Sequence, residues 1–267
     1  MTAPFTPRDV EKKSIKNAPV AVFDSGIGGI SVLKEIKKLL PHEDFLYFGD
    51  SRNAPYGEKD NAALRALIFT HATALLSRAK ALVLACNTAT AVAIKELRAA
   101  YPDVPIIGME PAIKPALSAH PHPRILVLAT ATTLREEKLA NLLKRYGASA
   151  EFLPLAAPGL VELIEAGEGN TEKARLYLNE LLAPFKEKPP DAVVLGCTHF
   201  PLVKSAISAF FSDTVPLFDG AEGTAREVKR RLLHANLLND QIARGTVTLT
   251  ASDSRAIPRY LSALVTK

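Results

Sequence analysis

Two cysteines occur in the 267 residues, and they stand in nearly matching contexts: ALVLACNT over residues 81–88 and AVVLGCTH over residues 192–199. Cys86 and Cys197 each close a short apolar run and are followed by hydrogen-bonding side chains, Asn87 and Thr88 after one, Thr198 and His199 after the other. The runs alternate too little for half-exposed strands, so each reads as a buried strand with its cysteine at the carboxyl end. Inverting a carbon centre that carries an acidic hydrogen requires removing a proton from one face and delivering one to the other. A thiolate and a thiol on opposite walls of a cleft do both, exchanging roles with direction. Free cysteine is mostly protonated at neutral pH, so donors, cations or helix amides must favour the thiolate. Asp24 cannot do that by charge, but it can relay a proton or orient a group. A redox pair lacks the C-x-x-C spacing, a protease nucleophile leaves the second cysteine unexplained, and a lone cysteine is most often inert core.

The offset between the two thiols, 197 minus 86, is 111, and it recurs between Val104-Pro105-Ile106 and Val215-Pro216-Leu217. Asp44-Phe45-Leu46 is echoed by Glu151-Phe152-Leu153, and PVAVF from Pro19 by PRILV from Pro123. A repeat of roughly a hundred residues is far too long for a solenoid unit and implies two similar lobes. Open α/β sheets bind ligands beyond the carboxyl ends of their strands, so facing lobes bring the thiols to one cleft. The predicted fold is therefore α/β: two pseudo-symmetric, mostly parallel α/β lobes with the active site between them.

In chain order, residues 1–17 read as a tail. PVAVF runs into Asp24-Ser25-Gly26-Ile27-Gly28-Gly29 and an amphipathic helix stopped by Pro41, a strand, glycine turn and helix whose amides could hold a carboxylate. It departs from a dinucleotide fingerprint because Ser31 replaces the third glycine. Asp44 to Phe48 is a second strand opening into GDSRNAPYG, with Tyr56 in the turn set by Pro55 and Gly57. His71 falls on the apolar face of the next helix and reads as a core histidine. Residues 108–123 are proline-rich and read as the crossing between lobes, with Pro111 to Pro115 as the hinge; His120 and His122 lack a third metal ligand. Thr133 and Glu136 suggest a capping box, and Gly147 a helix end. Residues 158–167 form a short helix carrying Glu162 and Glu165. The segments 221–234, TVTLTAS and 257–265 read as helix, strand and closing segment that complete one of the lobes.

Composition bounds the rest. A hydrophobic share of 48% with 23% charge is ordinary for a globular chain, and two cysteines make no disulfide framework, which points to a reduced cytoplasmic compartment. The first apolar run, Val20 to Phe23, is too short for a secretory or membrane-spanning segment. The formal charge of +5 is scattered over helical faces without interleaved aromatics, which argues against nucleic acid as the primary ligand and favours an anionic small substrate.

Five separated motifs, FDSGIGG, YFGDSRNAPYG, ACNTAT, LVELIEAGE and GCTHFPL, occur in an order that resembles the glutamate racemases. These are cofactor-independent enzymes that supply D-glutamate for bacterial peptidoglycan. The resemblance runs from about Val20 to Ala225. It implies free L- and D-glutamate as substrates, no cofactor, no metal and a homodimer. It further implies that Asp24, Ser25, Tyr56, Gly57, Asn87, Thr88, Thr198 and His199 hold the substrate's amino and carboxylate groups. Cys86 would take the proton from D-glutamate and Cys197 from L-glutamate, assisted by Asp24, Glu165 and His199. Ala157-Pro158 stands where the family often has Cys-Pro, so Glu162 competes with Glu165 for the assisting role; Gly167 after it favours Glu165. The resemblance places residues 18–111 plus 220–267 in the first lobe and 112–219 in the second. An aspartate racemase of the same superfamily and a non-catalytic amino-acid-binding protein are the alternatives; DSGIGG and PYG favour the glutamate branch.

Overall fold

The computed structural model of the chain describes residues 15–266; residues 1–14, most of the expected tail, and Lys267 lie outside the described residues. Nine strands are present among them: β1 (Val20–Asp24), β2 (Phe45–Gly49), β3 (Ala81–Leu84), β4 (Ile106–Gly108), β5 (Arg124–Ala129), β6 (Glu151–Ala156), β7 (Ala192–Leu195), β8 (Leu217–Asp219) and β9 (Val247–Ala251). They form two wholly parallel sheets, one ordered β4-β3-β1-β2-β9 and the other β6-β5-β7-β8. Read from the other edge, the second sheet runs β8-β7-β5-β6, the order of β4-β3-β1-β2. The two sheets are the two copies expected from the repeat, and β9 is an extra strand added beside β2.

The inner strands β1, β3, β5 and β7 are nearly continuous apolar runs, as in parallel sheets covered on both faces. β1, β3 and β7 are buried throughout, and Asp24 at the carboxyl end of β1 is fully buried with them. The strand-to-helix alternation follows hydrophobic periodicity. The helix Gly29–Leu39, for instance, buries Ile30, Val32, Leu33 and Ile36 and packs against the helix Ala221–His234. One apolar cluster is continuous across the two sheets, taking in Val22, Ile27, Leu33 and Val228 as well as Ile164, Leu195, Cys197 and Phe200.

Two local expectations change. Thr133 does not cap a helix; Thr130 does, accepting the Thr133 N–H at 3.2 Å. The expected single helix divides into Ala131–Arg135 and Glu137–Tyr146, because Glu136 has extended backbone and sends its carboxylate to Asn61 instead. The short helix is trimmed to Leu160–Glu165, bounded by Gly159 and Gly167 at φ of 80° and 82°, the left-handed region where only glycine is unstrained. His120 and His122 are exposed in the bend before β5. Among the described residues no helix is long and apolar enough to cross a membrane.

Candidate active site

Each thiol lies two residues beyond the end of the third strand of its sheet, where parallel strands expose their carboxyl ends. Cys86 caps the helix Asn87–Ala100: its sulfur accepts the Ala89 N–H at 3.5 Å and lies 3.6 Å from Ser25 Oγ. Burial pushes its pKa up to about 12, and the nearby Asp24 charge adds to this, more than the Ala89 amide takes back. At rest Cys86 is a neutral thiol donating to Ser25. Cys197 has a different neighbour, His199, whose Nδ1 lies 3.8 Å from its sulfur. The two thiols are only 5% and 7% exposed, so a substrate reaches them only if the cleft parts.

The glycine turn after β1 is where the lobes meet. His199 Nε2 lies 2.6 Å from Glu165 Oε1, and that same oxygen accepts the Ile27 N–H at 2.7 Å. Thr198 donates its hydroxyl to Asp24 Oδ2 at 2.9 Å, while Gly26 N–H donates to Asp24 Oδ1 at 2.9 Å. A methyl group on Gly26 would fall on the Glu165 carboxylate, and one on Gly28 would lie 2.7 Å from the His199 nitrogen atoms N and Nδ1. The glycines are thus needed for close approach of the second lobe. The carboxylate that the turn's amides hold is the protein's own.

These contacts set the charges. Burial disfavours a charge on His199, but its bonds to Cys197 and Glu165 outweigh that and hold its pKa well above the ordinary 6.5. Burial likewise raises Glu165, yet His199, the Ile27 amide and Arg259 bring it below the ordinary carboxylate value. Asp24 is raised, because burial exceeds the help from His199, Gly26 and Thr198. Cys197 therefore has an imidazolium beside it, and Cys86 has the buried Asp24 carboxyl near it.

The expected substrate-holding residues divide. Asn87 is buried with both amide atoms unpartnered, a polar group left open to a ligand. Thr88 Oγ1 faces Thr130 and Thr133 of the other lobe at 3.1 and 3.2 Å. Gly57 gives its carbonyl to Thr132 at 2.6 Å. Tyr56 spends its hydroxyl on Asp50 at 2.7 Å, so it serves the turn's shape first. Glu162 is half-buried and raised in pKa, by burial and then by the neighbouring Glu58; the His199 contact is made by Glu165.

His71 packs on the Phe23 and Phe48 rings with Nε2 3.3 Å from Asp50 Oδ2. Burial opposes ionisation of Asp50, but His71, Tyr56 and Asn53 lower its pKa to about 2. Sequence reading missed Asp50, the threonines of residues 130–133 and Arg259. For the first two a signal existed, since both follow the carboxyl ends of strands, β2 and β5.

The chain matches the Asp/Glu/Hydantoin racemase family over residues 29–228. It is 45% identical over 236 residues to the glutamate racemase of Clostridium perfringens, covering 88% of this chain and 91% of the relative. Identity to the Clostridium acetobutylicum glutamate racemase is 46% over 240 residues, 90% of this chain and 93% of that one. Among solved structures, the Francisella tularensis glutamate racemase in complex with D-glutamate superposes with a TM-score of 0.80 at 28% identity, over 94% of this chain and 95% of that one. The Escherichia coli glutamate racemase in complex with L-glutamate and the activator UDP-MurNAc-Ala gives 0.79 at 32% identity, over 91% and 95%. At this identity and coverage the chain is an isomerase and belongs to the Asp/Glu/Hydantoin racemase family.

Proposed function

We propose that this enzyme interconverts L- and D-glutamate without a cofactor, using Cys86 and Cys197 as the two acid–base groups. The observation that carries the reading is the equivalent position of the thiols at the ends of β3 and β7, in sheets of the same strand order. The names of the relatives, and the glutamate bound in two of the solved neighbours, support the substrate. Starting from L-glutamate, the Cys197 thiolate takes the Cα proton and the electron pair of that C–H bond spreads into the α-carboxylate. The Cys86 thiol then gives its proton to the opposite face. The products are D-glutamate, a Cys86 thiolate and a Cys197 thiol, and the reverse reaction retraces these steps. The surroundings suit the L side: His199, raised in pKa, stands beside Cys197, while burial keeps the proton on Cys86.

In this reading Asn87, Thr88, Ser25, Gly57 and Thr198 grip the amino and carboxylate groups, and Asp24 and the Glu165–His199 pair assist the thiols. Residues 18–111 with 220–267 act as one lobe and 112–219 as the other. A cytoplasmic homodimer supplying D-glutamate for peptidoglycan completes the reading, on the family resemblance. The test is incubation of purified protein with each glutamate enantiomer in deuterated water without added cofactor. Inversion with deuterium at Cα is expected; no incorporation from either enantiomer would overturn the proposal.

A further inference from the structure

We infer that Arg259, on the C-terminal helix Ile257–Val265, is a positioning residue for the Cys197 side of the site, acting through Glu165 and His199. The inference rests on the two-thiol reading above. The helix Leu160–Glu165 has six residues, and its own C-terminal turn closes on the Glu162, Leu163 and Ile164 carbonyls, which accept the Ala166, Glu168 and Gly167 N–H groups at 2.8, 2.8 and 2.9 Å. The Arg259 guanidinium adds donors from outside the helix: Nη1 donates to the Glu165 carbonyl, and Nη2 donates to the Ile164 carbonyl at 3.2 Å. Nη2 also stands 3.7 Å from Glu165 Oε2, on the carboxylate whose other oxygen meets His199.

What anchors Arg259 makes this more than a helix cap. Its neighbour Tyr260 is fully buried and packs edge-on against Tyr47 of β2, ring centroids 5.6 Å apart. Tyr47 in turn donates its hydroxyl to the Gly26 carbonyl, one residue before the Ile27 amide that holds Glu165. Glu165 is therefore gripped at its carboxylate by Ile27 and at its carbonyl by Arg259, and both grips belong to the framework of the first sheet. The turn at Gly167 closes the short helix on itself, and contacts from outside it set where it stands against the first sheet. Arg259 is one of those contacts, and its charge adds to the larger effects of His199 and Ile27 that hold the Glu165 carboxyl below its ordinary pKa. An ordinary ion pair on a side chain 40% exposed would contribute little. A fixed guanidinium bridging two carbonyls is directional, and a lysine cannot reproduce it fully.

The test compares wild type, Arg259→Met and Arg259→Lys. Misplacing an assisting group by about 1 Å costs roughly a hundredfold, so Arg259→Met is expected to lower kcat by about tenfold to a hundredfold with KM little changed. Arg259→Lys should recover part of the loss. Because the two enantiomers have equal energy, kcat/KM falls equally from both sides, and the informative readout is the primary deuterium isotope effect. Slower transfer at Cys197 should raise the effect with 2-deuterated L-glutamate and not with the D enantiomer. Thermal melting accompanies each variant, and Arg259→Lys serves if Arg259→Met does not fold. Wild-type rates, or rate loss with isotope effects moving alike for both enantiomers, would overturn the inference alone. A wild-type protein that fails to racemise glutamate would overturn the parent reading, and this inference with it.

Discussion

Thr198 donates its hydroxyl to Asp24 across 174 positions of sequence, joining the residue after one thiol to the end of the strand beside the other. The contact holds the lobes together at the site and gives the thiols unlike surroundings. The Asp24 carboxyl, which accepts from Thr198, raises the pKa of Cys86, while His199, the next residue, lies beside Cys197 with its own pKa raised well above 6.5. A pseudo-symmetric fold thus carries two thiols in unlike surroundings, which suits the proposed exchange of roles between one base and one acid.

Replacing either thiol tests that pair. Cys86→Ser and Cys197→Ser should each lower racemisation by about a hundredfold to ten-thousandfold, the usual scale for a lost acid–base group, with little change in melting temperature. Serine is nearly isosteric but a far weaker acid. Polarimetry on each variant decides: near-normal turnover would assign that cysteine to the core alone.

Gly28→Ala should be damaging because the added methyl meets backbone, the His199 nitrogen and the Thr198 carbonyl carbon at 2.7 Å, and backbone cannot swing aside. Overpacking of this kind costs about 1 to 3 kcal/mol, and the displaced His199 should lower kcat/KM by roughly a hundredfold. Gly223→Ala is the contrasting case. It lies within the helix Ala221–His234 with open space around it, and should stabilise by about 0.4 to 1 kcal/mol. Equal melting temperatures for the two variants would contradict the close approach at Gly28.

His199 makes stability depend on pH in a definite direction. Its folded pKa lies well above 6.5, so its protonation contributes stability that is fully present below about pH 6.5 and is lost as pH rises toward the folded value. The stability gap between wild type and His199→Gln, measured by urea unfolding, should therefore shrink as pH rises from about 6.5 toward the folded value. A gap that widens over that range would show that His199 is buried neutral.

Glutamate should be preferred to aspartate. Racemases of both acids can share the thiols and the α-group contacts, so discrimination falls on where the distal carboxylate lands. A side chain one methylene shorter leaves buried donors unpaired, at about 1 to 3 kcal/mol each. L-Aspartate should be poorer by at least roughly a hundredfold in kcat/KM, about 2.7 kcal/mol in the transition state. Parity between the two L acids would move the enzyme to the aspartate branch and leave the two-thiol mechanism standing.

The two-sheet architecture and the strand-end position of both cysteines were legible in the chain, because a buried parallel strand is a local apolar run and a duplicated lobe repeats it at a fixed offset. That offset of 111 aligns β3 with β7 and β4 with β8. The choice between Glu162 and Glu165 was only partly legible. Three positions apart, they share a helix face, and only Gly167 after the second favoured Glu165. Glu165 meets His199 because Gly26 and Ile27, 138 positions or more away, leave room for its carboxylate and donate to it. The glycine turn shows the same limit: sequence marks it as a place where amides can receive a carboxylate, and the packing of one lobe on the other supplies Glu165 as the occupant. Arg259 left no periodic trace at all, since its role comes from two carbonyls at the end of a helix that reaches it only after both lobes have folded together. Periodicity records what a residue's neighbours along the chain require; contacts between lobes depend on shape and charge brought together afterwards.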